Sequence, residues 1–172
     1  CHPHIEPRHD FLDLLRIKAE LETRYLADHG MWDIQVLQQR ATAEHIALRC
    51  HLHVLGVLDD SHTVLRQLSA SYPMALVTNF YGNIDTVLRH YGLRQYFQAI
   101  VESATCGVRK PDPHIFSLGV EALHLQPSEV MVVGDSYDKD IQPSHAIGCT
   151  KHKFSGLFSF CAESTASFRK SV

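Results

Sequence analysis

Val130-Met131-Val132-Val133-Gly134-Asp135-Ser136-Tyr137-Asp138-Lys139-Asp140-Ile141 is the stretch that decides the fold. Its apolar opening is too short for a helix and apolar on both faces, as a strand buried inside a parallel sheet is. The run stops at a glycine and then delivers two carboxylates, Asp135 and Asp140. Downstream, a helix is expected from about 138 to 147, with Gly148 as its stop. Upstream, 113–124 reads as a helix with Ile115, Phe116, Val120 and Leu123 on one face, Asp112 as cap and Pro113 at its first position. Before it, 97–101 is a second strand candidate. Ile84, Val87, Leu88 and Tyr91 mark another helix ended by Gly92, and Met74-Ala75-Leu76-Val77 after Pro73 is a third buried strand. Strand and helix alternating at this spacing predict an α/β fold, a Rossmann-like doubly wound parallel sheet.

The first third has a different period. Phe11, Leu14, Leu15, Leu21, Tyr25 and Leu26 recur at helical spacing before Gly30, and Leu37, Ala41, Leu48, Leu52 and Leu55 recur at steps of three, four or seven. A small helical unit over 1–58 is expected, then a separate helix from about 61 to 71 capped by Asp60 or Ser61. The α/β core would run over 59–150. Lys151-His152-Lys153 interrupts any further apolar strand, so 151–172 is expected to be an irregular tail in which Phe154, Leu157, Phe158 and Phe160 form a short packed segment.

Composition narrows the classes. The chain has 172 residues, 45% hydrophobic and 20% charged, which fits one globular domain with an appendage. No run approaches the roughly 18 apolar residues of a membrane span, and no signal segment opens the sequence. Sixteen Lys and Arg against nineteen Asp and Glu give a formal charge of -3, without the basic stripe that nucleic acid binding needs. Five cysteines at wide spacings, with no CxxC pair, suggest neither a disulfide framework nor a zinc site, and a reduced cytoplasmic setting is the default. The thirteen histidines would carry the net charge from -3 to +10 on full protonation. Metal binding by Cys1-His2-Pro3-His4 or Cys50-His51-Leu52-His53 is disfavoured. The first lies at a terminus, and His51 and His53 point to different faces of a helix.

In an open parallel sheet ligands bind beyond the carboxyl ends of the strands. Thr78 and Asn79 follow the first strand, offering a hydroxyl and an amide to an anionic oxygen. Lys110 follows the second, within Gly107-Val108-Arg109-Lys110-Pro111-Asp112-Pro113, and Asp135 and Asp140 follow the third. Each alone is commonplace: a turn, a solvated lysine, a helix cap. Their joint placement points to phosphate chemistry, with Asp135 as a hard oxygen ligand for Mg²⁺.

These residues resemble the haloacid dehalogenase-like (HAD) hydrolases with a helical cap. Leu76-Val77-Thr78-Asn79 is similar to the second motif of that family. Arg109-Lys110-Pro111-Asp112-Pro113 with Ile115-Phe116 resembles the third, and the stretch from Val132 to Ile141 the fourth. The resemblance implies that Thr78 and Lys110 are catalytic, that Thr78, Asn79 and Lys110 bind phosphate, and that Asp135 binds Mg²⁺ with Asp140 in support. It also implies a small phosphorylated substrate and makes 1–58 a cap closing over it. The family's first motif, an apolar strand ending in Asp-x-Asp-x-Thr that supplies the nucleophile, is absent. The only Asp-x-Asp here is Asp138-Lys139-Asp140, which no apolar run precedes. Because the sequence begins with Cys, an N-terminally incomplete and inactive chain is expected, with a non-catalytic pseudoenzyme as the alternative. In the family's strand order the absent strand lies between those ending at Thr78 and Asp135. An unpaired gap of roughly two strand spacings, about 9 to 10 Å, is therefore expected there, together with poor stability unless another segment fills it.

Dehalogenation is disfavoured because Asp135 with Asp140 is the form of the metal-dependent members. A phosphoacceptor receiver would order its residues Asp, Thr, Lys, whereas here the order is Thr78, Lys110, Asp135. Neither Trp32 nor the histidines of 29–62 identify a leaving group.

Overall fold

The computed structural model describes residues 2–31 and 36–153; Cys1, Trp32, Cys161 and the tail aromatics from Phe154 onward lie outside them. Helix α1 spans Phe11–Asp28. Asp10 Oδ1 accepts from the Asp13 N–H at 2.9 Å and Asp13 Oδ2 from the Asp10 N–H at 3.3 Å, so two otherwise orphaned donors are satisfied at its start. Gly30, at φ +64°, takes the left-handed conformation that ends it.

Helix α2 spans Val36–Ser69 without a break. The separate helix expected near 61–71 is the second half of this element. Asp59-Asp60-Ser61 has the residue types of a cap, but the Ser61 hydroxyl donates to the Val57 carbonyl one turn back, and Gly56 sits in open space at no steric cost. No proline interrupts the segment, so the helix runs through the expected boundary between cap and core. α1 and α2 bury small side chains, Ala19 on one and Ala43 and Ala47 on the other. The Arg16 guanidinium clasps the Glu44 carboxylate across the hairpin at 2.8–3.0 Å.

The remaining elements are β1 (Ala75–Thr78), α3 (Ile84–His90), β2 (Ala99–Glu102), the single turn α4 (Ser103–Cys106), α5 (His114–Ala122), β3 (Met131–Gly134), α6 (Gln142–Ala146) and β4 (Thr150–Lys153), and all but α4 and β4 follow the expected alternation. The helix expected from Asp138 begins as a π turn, Tyr137–Ile141, before α6. β4 was not anticipated. Its charged side chains hide a strand that pairs through its backbone, with Val132 opposite Lys151 and Gly134 opposite Lys153, so part of the expected irregular tail belongs to the core. Charged edge strands are a common protection against unwanted pairing.

β1 pairs with β2 and β3 with β4, both in parallel, and among the described residues no ladder joins β1 to β3. The fold is α/β and parallel, but its strands form two pairs. Side chains alternate across β1 and β2. Leu76 and Ile100 face a cluster of Ile84, Val87, Leu88 and Tyr91, to which α1 adds Phe11 and α2 adds Val54 and Leu58. Val77 and Val101 face Ile115 and Phe116 of α5, and this second cluster also takes in Val132 of β3 and Ile147. α5 therefore packs against β1 and β2, and its cluster extends to Val132 of β3. It rides close over β1, because a Cβ on Gly119 would lie 2.8 Å from Val77 Cγ2.

Candidate active site

Each strand ends where its apolar residues run out, and the side chains that follow gather at one edge. Thr78 closes β1, and its hydroxyl has no hydrogen-bond partner among the described residues. Asn79, next along, ties two loops together: its Oδ1 accepts from the Lys110 N–H at 2.8 Å and its Nδ2 donates to the Lys110 carbonyl at 3.0 Å. The Asn79 amide was expected to face an anionic oxygen; both of its ends are instead taken up by the Lys110 backbone.

Lys110 Nζ donates to Asp140 Oδ1 at 2.7 Å, with the lysine side chain 17% exposed and the aspartate 7%. The second Asp140 oxygen accepts from the Ser136 N–H at 3.0 Å. Both carboxylate oxygens are thus engaged, as a buried charge requires. The turn leaves no room beside them: a Cβ on Gly134 would fall 2.4 Å from Asp140 Cβ, so only glycine fits at the end of β3. Lys110 also lies 6.0 Å from the ring centroid of Phe116, a buried member of the cluster that takes in residues of both strand pairs.

A continuous path of contacts therefore runs from Asn79, beside Thr78, through Lys110 and Asp140 to the turn that carries Asp135. Asp135 itself is exposed at the strand end. Among the described residues no three Asp, Glu, His or Cys side chains converge on a common point. One accessible carboxylate backed by one engaged carboxylate still suits Mg²⁺, which keeps several waters and takes only one or two protein oxygens plus substrate phosphate.

One residue escaped the sequence reading. Glu102, 7% exposed at the end of β2, accepts from the Gly82 N–H at 2.6 Å and the Ile84 N–H at 3.4 Å. It fixes the loop that leaves Thr78 and Asn79, whose turn passes through Gly82 at φ +98°. The signal was present, an acid directly after an apolar strand, the same rule that singled out Asp135. Asp112 Oδ1 accepts from the His114 N–H at 2.9 Å and so serves α5 as a cap.

A parallel α/β core with ammonium and carboxylate groups at one strand edge, joined to a helical hairpin, defines a class of hydrolytic enzymes. The chain belongs to the haloacid dehalogenase-like hydrolases, whose family model matches residues 8–148. It is 38% identical over 93 residues to the haloacid dehalogenase-like hydrolase domain-containing protein 3 of Danio rerio, covering 54% of this chain and 38% of that protein. It is 30% identical over 146 residues to the 5-amino-6-(5-phospho-D-ribitylamino)uracil phosphatase YigB of Escherichia coli (strain K12), covering 75% of this chain and 60% of that protein. The chain thus spans less than two thirds of these relatives. Among solved structures it resembles the HAD hydrolase YfnB from Bacillus subtilis bound to magnesium, with TM-score 0.54 and 15% identity over 92% of this chain and 77% of that one. A HAD-superfamily hydrolase from Ehrlichia chaffeensis gives TM-score 0.53 and 21% identity over 81% of this chain and 78% of that one. At these identities the likeness speaks to the fold alone.

Proposed function

We propose that this chain carries the cap and most of the core of a Mg²⁺-dependent phosphomonoesterase acting on a small phosphorylated metabolite in a cytoplasmic setting. The observation that carries the reading is the buried Lys110–Asp140 pair, clamped by Asn79 between the ends of β1 and β3. A cation held there neutralises phosphoryl oxygens without reorganising as charge develops. The Thr78 hydroxyl donates to the same group. Asp140 keeps the lysine aimed, and Asp135 would hold Mg²⁺, which would supply Lewis-acid stabilisation of a phosphate oxygen. The phosphatase named among the relatives supports this reading.

Covalent phosphoryl transfer needs a carboxylate nucleophile at a strand end between Thr78 and Asp135. Among the described residues no strand lies between β1 and β3. Purified as this sequence stands, the protein is therefore expected to show no phosphatase turnover. A Mg²⁺-stimulated rate abolished by Lys110→Ala would overturn that expectation. With an Asp-x-Asp-x-Thr strand supplied ahead of the chain, activity should appear, and Lys110→Ala should then cost roughly 2–4 kcal/mol of transition-state stabilisation. Asp135→Asn should weaken magnesium activation. The missing pairing between β1 and β3 favours a second reading, a non-catalytic phosphate-binding protein, which would stay inactive with that strand supplied.

A further inference from the structure

Helix α2 is covered along one side and open along the other. Ala43 and Ala47 are 4% and 0% exposed, and Val54 and Leu58 pack on the cluster around Tyr91. Leu48, Leu52 and Leu55 do not share that burial: they are 40%, 62% and 43% exposed. At about 100° per residue the three leucines lie within roughly 60° of one another, and Ala43 lies half a turn away from Leu52. Every exposed leucine among the described residues stands on this one seam. Single exposed apolar side chains are ordinary, whereas a contiguous row of them marks a surface that meets a partner.

The two ends of the seam carry opposite charge. Seven residues before Leu52 stands His45, with Arg49 on its flank, and seven residues after it stands Asp59, followed by Asp60; all four are exposed. Glu44 is drawn aside toward α1 by Arg16, 2.8 Å away. Gly56, four residues after Leu52, has open space where a Cβ would stand. An antiparallel twofold at Leu52 sets residues at equal distances before and after it level with each other. Leu48 of one copy then comes level with the gap at Gly56 of the other, and His45 and Arg49 face Asp59 and Asp60. A parallel pair would instead set Asp59 against its own copy, which is repulsive.

We propose that this seam is a self-association surface, on which two copies of the chain pack α2 against α2 in antiparallel fashion about Leu52. A single pair of helices falls below the roughly 1,200 Å² of a standard interface, so the dimer is weak and concentration-dependent. Sedimentation equilibrium of the full chain should show a 19.5 kDa monomer giving way to twice that mass as protein concentration is raised. Leu52→Glu should weaken association roughly tenfold or more with unchanged circular dichroism, because the side chain is central to the seam yet exposed in the monomer. Arg49→Glu and Asp59→Lys should each weaken it alone, and an equimolar mixture of the two variants should recover the dimer by restoring opposite charges at both ends. A chain that stays monomeric at every concentration overturns the proposal. So does association that Leu52→Glu leaves intact, which would place the contact elsewhere, as on the open edges of β1 and β3. Failure of the mixed variants to recover the dimer overturns the antiparallel pairing and the proposal with it.

Discussion

The two strand pairs share one geometry and differ in what covers them. β1 and β2 are sandwiched, with Leu76 and Ile100 under α2 and α3 and Val77 and Val101 under α5. Among the described residues β3 is covered on one face only. Val132 reaches the shared cluster, whereas Met131 and Val133, pointing the other way, are 56% and 43% exposed. β3 is as apolar as β1 and β2, so apolar character does not decide which valine is buried; the reach of the helical layers does. α5 packing and the Lys110–Asp140 pair tie the halves together, and the candidate active site lies across the join.

Phe116 tests that join most severely. Phe116→Ala should destabilise the protein by about 3–5 kcal/mol, because it removes a buried ring from the cluster that both strand pairs share and leaves a cavity. Urea unfolding should also lose cooperativity if α5 is the bridge. A loss under about 1 kcal/mol with an unchanged slope would mean that the pairs hold together by other means.

Lys110→Met should cost about 3 kcal/mol, since it strands the Asp140 charge at 7% exposure with one remaining hydrogen bond. Replacing both partners by apolar residues should recover most of this loss. Failure to recover would assign the destabilisation to misplacement of the loops rather than to the buried charge.

Val101→Ala and Val133→Ala sharpen the comparison directly. The first should cost about 2 kcal/mol and the second less than about 0.5 kcal/mol, reflecting 8% against 43% exposure. Equal costs would show that something covers β3 in solution.

The smallest effect concerns pH. Burial, aided by the Asp10 charge, pushes the Tyr91 hydroxyl up to about 12, and His51 Nδ1 lies 2.9 Å from it. Folded protein therefore keeps a proton that the unfolded chain loses near 10. The contribution is complete below about pH 10 and falls away as pH rises toward 12. Ultraviolet titration of the phenolates should show one of the six tyrosines ionising last, and Tyr91→Phe should remove that step.

Much of this was legible in the residues. The strands ending at Thr78 and Gly134 and the stops at Gly30, Gly92 and Gly148 follow from short apolar runs and from glycines that adopt positive φ. The parallel α/β class follows from their alternation, and the grouping of Thr78, Lys110, Asp135 and Asp140 from the rule that strand ends carry chemistry. These are local signals, set by backbone sterics and by what can lie inside a sheet.

Other features depend on contacts between residues far apart in sequence. Helix α2 runs through Asp59-Asp60-Ser61 because a cap acts only where the backbone turns, and packing onto α1 and the core keeps it continuous. Lys151-His152-Lys153 reads as a break, yet forms a strand because pairing with β3 is a backbone interaction indifferent to exposed charges. Asn79 offers an amide suited to phosphate, and only the approach of the Lys110 loop assigns it to the backbone. Residue type fixes what a side chain is able to do; the tertiary structure decides which partner it meets, because that partner arrives from elsewhere in the chain.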